Sequence, residues 1–213
     1  RMYNIERLAL YNNSWGNFDF NATLGGNLYK VNNQTIVTTA KDMKIRDVVA
    51  LMSFNEVSVE PYSYRKQINS IYGAVNLGWK HMLYFDATLR GDQSSTLPIS
   101  NNMYIYPSFS GSFVFSELLK LGDKLPYGKV RMSWAQVGSD TDPYQLGLVY
   151  TKSKFAYPGY TIGYISNGTI PNKDLKPTKT NSFEMGLELK FLKNRIGLDF
   201  TYYSQLSKNQ IMG

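Results

Sequence analysis

The sequence predicts an all-β protein, a transmembrane antiparallel meander that forms part of the wall of a large outer-membrane β-barrel. Three observations predict it. Apolar and polar residues alternate one by one, most clearly in Met82-Leu-Tyr-Phe-Asp-Ala-Thr-Leu-Arg90, the mark of a strand with one greasy and one wet face. The alternating segments are long. Soluble strands cluster around 5–6 residues, whereas a tilted strand needs roughly 9–11 to cross a bilayer. The connections also sort into long ones on one rim and short ones on the other, as in outer-membrane barrels.

Residues 1–16 are ambiguous between a strand end and a turn of helix. Phe18, Phe20, Ala22, Leu24, Gly26 and Leu28 then alternate with Asp19, Asn21, Thr23, Gly25 and Asn27. Residues 30–64 lose the pattern and read as a long external loop. Within it, 42–52 is periodic enough for a short helix with Asp42 as a cap. A second strand spans about 65–79. Lys80-His81 leads into strand 82–90, and because Lys-His is poor chemistry for a two-residue hairpin, the turn is expected to be a residue or two wider. Residues 91–105 form a polar external loop, followed by a strand over 106–116 with Val114 as an apolar exception on its polar face. Residues 117–127 connect to a strand at 129–137. Residues 138–180, rich in Pro, Gly and Tyr, form the third external loop. The last hairpin is sharpest: Phe183, Met185, Leu187, Leu189 and Phe191 alternate with Glu184, Gly186, Glu188 and Lys190, Lys193-Asn194 turns, and Ile196, Leu198, Phe200 and Tyr202 continue. The expectation is about seven strands over 1–213, a partial barrel domain.

Composition narrows the function. Tyr contributes 17 residues and aromatics 15%, which fits the aromatic girdles of membrane barrels. Cysteine is absent, so there is no disulfide framework or cysteine nucleophile. The net charge of +7 is scattered, not gathered into the basic, aromatic-lined groove that binds nucleic acid. Arg1-Met2-Tyr3 does not begin a signal peptide, which leaves a cytoplasmic protein or an internal piece of a longer exported precursor, and the second is the expectation. An edge strand in lipid leaves backbone groups unpaired at several kcal/mol each. A sheet of this size therefore needs the remainder of a barrel as its partner.

Asp86, Arg90, Arg131, Glu184, Glu188 and Asp199 fall on the polar track, where a charge avoids hydrocarbon, and are expected to face the lumen as cross-strand support. Trp79, Trp134, Tyr202 and Tyr106 read as girdle anchors. Asp140, Asp142, Tyr144, Tyr150, Tyr157, Tyr160 and Tyr164 lie in the 138–180 loop and are the candidate external contacts for ligand or partner. Ser139-Asp140-Thr141-Asp142 supplies too few oxygens for calcium and reads as an Asx-type turn. His81, the one histidine, has no partner for acid–base or metal work. No enzyme activity, cofactor or metal is expected. A soluble carbohydrate-binding β-sandwich and, less well, an outer-membrane barrel enzyme are the rival readings.

Several stretches resemble one family. Tyr72-Gly73-Ala74-Val75-Asn76-Leu77 followed by Tyr84 to Asp92 resembles the barrel of SusC/RagA-like TonB-dependent outer-membrane transporters. Arg90-Gly91-Asp92-Gln93-Ser94-Ser95 is similar to the family's Arg-x-Asp-Gly-Ser-Ser element, with Gln where Gly is usual. Tyr106-Pro107-Ser108, Ser116-Glu117, Lys129-Val130-Arg131-Met132-Ser133-Trp134, Asn172-Lys173-Asp174-Leu175-Lys176-Pro177 and Gly197-Leu198-Asp199-Phe200-Thr201-Tyr202-Tyr203 follow in the family's order. The resemblance covers roughly 65–205. It implies a barrel of about 22 strands in the outer membrane of a Gram-negative bacterium, with a plug domain absent from this stretch. It also implies energy from TonB, a SusD-like surface lipoprotein as partner, and oligosaccharide or oligopeptide as substrate.

Overall fold

The computed structural model describes residues 1–119, 122, 125–153, 160, 162–165 and 170–210. Its main body is one eight-stranded antiparallel sheet built from β1 (Met2–Trp15), β2 (Phe18–Met43), β3 (Phe54–Trp79), β4 (Leu83–Ser94), β5 (Met103–Phe113), β6 (Tyr127–Ser139), β9 (Thr178–Phe191) and β10 (Ile196–Lys208). Consecutive strands pair throughout, except that β6 pairs with β9. The long connection between them carries a separate two-stranded ribbon, β7 (Tyr150–Lys152) and β8 (Gly163–Ile165). One short helix, α1 (Phe115–Leu119), follows β5. No helix among the described residues is long and apolar enough to cross a membrane.

Register carries the alternation across the whole sheet. Phe18 faces Trp79, Trp79 faces Leu83 and Leu83 faces Phe113. Phe113 faces Val130, Val130 faces Leu187 and Leu187 faces Phe200. From β2 to β10 the sheet therefore has one continuous apolar face. It also has almost no interior: among the described residues the buried hydrophobics are Val31, Leu97, Tyr104 and Val114. Leu24, Ile71 and Phe200 keep more than half their surface open, at 61%, 62% and 65%. A soluble sandwich would bury such a face under a second sheet. Here the second sheet is a three-residue ribbon pair at the rim.

Two spans differ from the sequence reading. Residues 1–16 form a full strand, and residues 30–64 are not a loop with a helix but the outer halves of β2 and β3. Their pairing continues from Asn32↔Arg65 to Lys41↔Glu56, with Met43↔Phe54 beyond. At 26 residues each, these strands run roughly 85 Å, far beyond a hydrocarbon core of about 30 Å. Along these outer halves most residues on both faces are exposed, so hydrophobic alternation is not required and the signal vanishes while the ladder persists. Asp42 caps no helix. It has φ 60 and accepts from Asn55 Nδ2, and a single 3-10 turn at Leu51–Ser53 closes the tip.

The other shifts are smaller. The sheet has eight strands rather than seven. β4 extends to Ser94 and β5 starts at Met103, so the 91–105 loop shrinks to residues 95–102. β5 ends at Phe113, not at residue 116. Val114 lies beyond the strand, buried, with its N–H on the Met82 carbonyl at 2.8 Å, which removes the anomaly of an apolar residue on a polar face. The β3–β4 turn has three residues, with Lys80 and His81 at φ 50 and 54 and the Met82 N–H on the Trp79 carbonyl at 2.9 Å. That matches the wider turn expected. β1 and β10 end the sheet and do not pair with each other.

Candidate functional site

The polar face is a set of hydrogen-bonded rows that follow from register. Asn76, Asp86, Ser110, Ser133 and Glu184 stand opposite one another on β3, β4, β5, β6 and β9. Asp86 accepts from Asn76 Nδ2 at 2.6 Å and from Ser110 Oγ at 2.9 Å. Each carboxylate oxygen thus has a neutral donor from a neighbouring strand, which offsets much of the cost of removing the charge from bulk water. The adjacent row pairs the Thr88 and Ser108 hydroxyls at 2.6 Å.

Towards the long-connection rim, Arg90 donates Nε to Asp92 at 2.8 Å and Nη2 to Ser70 at 3.1 Å, and its guanidinium lies 5.5 Å from the Tyr72 ring centre. The Tyr106 hydroxyl donates to the other Asp92 oxygen. Tyr106 therefore points to the polar face and is not a girdle anchor, because its even number places it with Ser108 and Ser110. Trp134 and Trp79 do lie on the apolar face. Trp134 stacks on Phe109 with centroids 6.1 Å apart, and Trp79 meets Phe18 at 6.4 Å. Tyr202, opposite Met185, shares that face.

Towards the short-turn rim, Arg131 Nη2 reaches Asp199 Oδ1 at 3.2 Å and Thr201 Oγ1 at 2.7 Å, and its Nε lies 3.8 Å from Glu184. It spans two strands by lying over Gly186, where any β-carbon would collide with the guanidinium. Glu188 stands opposite Asp199 and pairs with Lys190 at 3.6 Å. All six charged residues singled out in the sequence, Asp86, Arg90, Arg131, Glu184, Glu188 and Asp199, thus share one face. Asp92, Ser70 and Tyr106, which complete their network, were missed as partners because cross-strand contacts are set by register, not by spacing.

The 138–180 residues separate into different environments. Asp140 forms no local Asx turn. It lies one residue past β6, and its carboxylate takes Lys66 Nζ at 2.7 Å, Ser94 Oγ at 2.5 Å and Thr96 Oγ1 at 3.2 Å. Asp142 is 3.5 Å from the Tyr64 hydroxyl. Tyr144, Tyr150, Tyr160 and Tyr164 are exposed, Tyr150 and Tyr164 being on the ribbon. Tyr157 lies outside the described residues. Among the described residues, no group of three His, Cys, Asp or Glu is arranged to hold a metal ion.

A family model described as TonB dependent receptor-like, beta-barrel matches residues 1–213. The chain belongs to the TonB-dependent receptor β-barrel family. Within that family its likeness is to SusC/RagA-like members. It is 25% identical over 210 residues to TonB-dependent receptor P3 of Formosa agariphila, covering 93% of this chain and 20% of that protein. It is 30% identical over 147 residues to TonB-dependent receptor SusC of Bacteroides thetaiotaomicron, covering 65% and 15%. The fold matches the solved RagAB peptide transporter with a TM-score of 0.84 at 21% identity, over 97% of this chain and 23% of that one. It also matches the RagAB peptide importer in its open-open state with a TM-score of 0.80 at 22% identity. The chain spans about a fifth or less of the length of the curated TonB-dependent receptors it matches. The antiparallel sheet is homologous to part of the barrel of this family.

Proposed function

We propose that this chain is a wall segment of a TonB-dependent outer-membrane nutrient importer. The whole barrel has about 22 strands and takes up glycans or oligopeptides together with a SusD-like surface lipoprotein. The observation that carries the reading is the pairing of an apolar face running from β2 to β10 with hydrogen-bonded polar rows one residue away, in a sheet whose two edge strands are open. Backbone groups on an open edge cannot stay unpaired in hydrocarbon, so β1 and β10 join further strands of the same wall. Asp86, Arg90, Arg131, Glu184, Glu188 and Asp199 then line the lumen and stiffen it. The β2–β3 hairpin, residues 95–102 and the β6–β9 connection stand on the external rim, where Tyr144, Tyr150, Tyr160 and Tyr164 are placed to meet ligand or lipoprotein. A plug domain in the remainder of the protein receives energy from TonB.

The test is a cysteine walk along residues 183–191 of the full-length receptor in the outer membrane. Spin labels at odd positions should be accessible to oxygen, and labels at even positions to a water-soluble paramagnetic reagent. Protein-core environments at Phe183, Leu187 and Phe191, with no lipid exposure, would overturn the reading.

A further inference from the structure

The carboxylate of Asp140 holds an unusual position. It directly follows β6, which is separated from β3 by β5 and β4, yet its one charged partner is Lys66 on β3. The connection leaving β6 therefore doubles back over the ends of two intervening strands. It is fastened there by three donors on one carboxylate: the Lys66 ammonium on one oxygen, and the Ser94 and Thr96 hydroxyls on the other. The fastening is largely dry. The Lys66 and Asp140 side chains are 15% and 10% exposed, and Ser94 and Thr96 are buried. The receiving end is itself braced, since the Thr96 N–H donates to Ser94 Oγ at 3.3 Å and the Ser95 N–H bonds the Gln67 carbonyl at 2.9 Å.

A crevice of about 460 Å³ separates the β7–β8 ribbon from β3, with Val59, Glu60 and Tyr62 on one side and Lys152 and Tyr164 on the other. Where packing leaves a gap of that size, the position of the ribbon depends on its fastenings.

We propose that Asp140 is a positioning residue: by binding Lys66, Ser94 and Thr96 it clamps the β6–β9 connection across the rim and sets the width of the crevice between Tyr62 and Tyr164. The clamp works through the placement of the ribbon. It stands on the geometry of the rim, whatever passes through the wall.

Dipolar spectroscopy on the full-length receptor in detergent tests this. One spin-label pair at Val59 and Ile165 reads the crevice. A second pair at Leu24 and Phe109 reads the wall. Asp140→Ala should shift the crevice distances upwards and broaden them while the wall pair stays put. Lys66→Met should give the same shift in weaker form, and Lys66→Arg, which keeps the cation, should restore the narrow distribution. An unchanged crevice pair in Asp140→Ala overturns the proposal. Disturbance of both pairs also overturns it, because Asp140 would then be supporting the wall. Should Asp140→Ala fail to assemble, Ser94→Ala with Thr96→Ala removes two of the three partners and is read the same way. A widened crevice supports the clamp, and an unchanged one rejects it.

Discussion

The Tyr72 ring lies over Gly25, its direct partner on the β2–β3 ladder, in space that a β-carbon on residue 25 would occupy. From there its hydroxyl crosses β2 to reach Glu6 on β1, so the missing side chain lets one tyrosine tie three strands together. Gly25→Ala should therefore push the ring aside and break the Glu6 contact. The expected cost is that of overpacking, about 1–3 kcal/mol. It would be read as a lower temperature for loss of the heat-resistant folded band of the full-length receptor. Gly197 has open space around it, so Gly197→Ala is the matched control and should leave that temperature unchanged.

Phe109 and Ser110 are neighbours on β5 with opposite surroundings: one stacks on Trp134, the other donates to Asp86. Phe109→Arg places a cation on the apolar face and should cost about 2–4 kcal/mol if it lies near the midplane, seen as reduced folded receptor in the outer membrane. Ser110→Arg puts the same charge beside the Asp86 carboxylate and should assemble normally. Equal loss from both variants would show that the two faces do not meet different solvents.

Arg131 holds Asp199, Thr201 and Glu184, but its side chain is a third exposed and those of Glu184 and Asp199 about half. Such pairs are screened, and each contributes at most about 1 kcal/mol. Arg131→Met should lower resistance to urea modestly at low salt. The difference from the unsubstituted receptor should shrink in molar salt, where the screening length falls to about 3 Å.

Tyr62, on the protruding part of β3, donates its hydroxyl to Glu60 at 2.6 Å. That hydrogen bond, followed by the carboxylate's charge, raises the phenol above its ordinary value of 10.0. A raised value means that the interaction is complete below the ordinary value and is lost as pH climbs through the shifted one. Difference titration of phenolate absorbance, with Tyr62→Phe as the reference, should show late ionisation, and Glu60→Gln should bring it earlier.

The outer part of the β2–β3 hairpin is paired strand exposed on both faces. Replacing residues 36–61 with a two-residue Asn-Gly turn on the Thr35↔Tyr62 pair should leave the wall's assembly intact. Unchanged outer-membrane abundance and an unchanged heat-resistant band are the expected results.

Legibility followed solvent. From Phe18 to Leu28, 71–79, 83–90 and 183–203, each strand meets two different media. Side chains must then alternate, and both the strands and their faces could be read. From Asn32 to Met43 and from Phe54 to Arg65 both faces meet water, so β2 and β3 run on without a periodic signal. β1 was obscured in another way. It puts Arg7 on the apolar track opposite Gly26 and Leu8 on the polar track opposite Gly25, which blurs the alternation at an edge strand. The tracks of Asp86 and Arg131 were readable, but their partners were not. Those partners lie 10 to 70 residues away in sequence, and only register brings them together.

The amino-acid order alone determined the strand class, the two faces and the family likeness, because transfer between water and hydrocarbon is decided residue by residue. The tertiary structure decided what Asp140 binds. A carboxylate just past β6 meets Lys66 and Ser94 only after four strands have paired in register and the chain has folded back over them. Contacts of that kind are fixed by how the strands align, which no local spacing records.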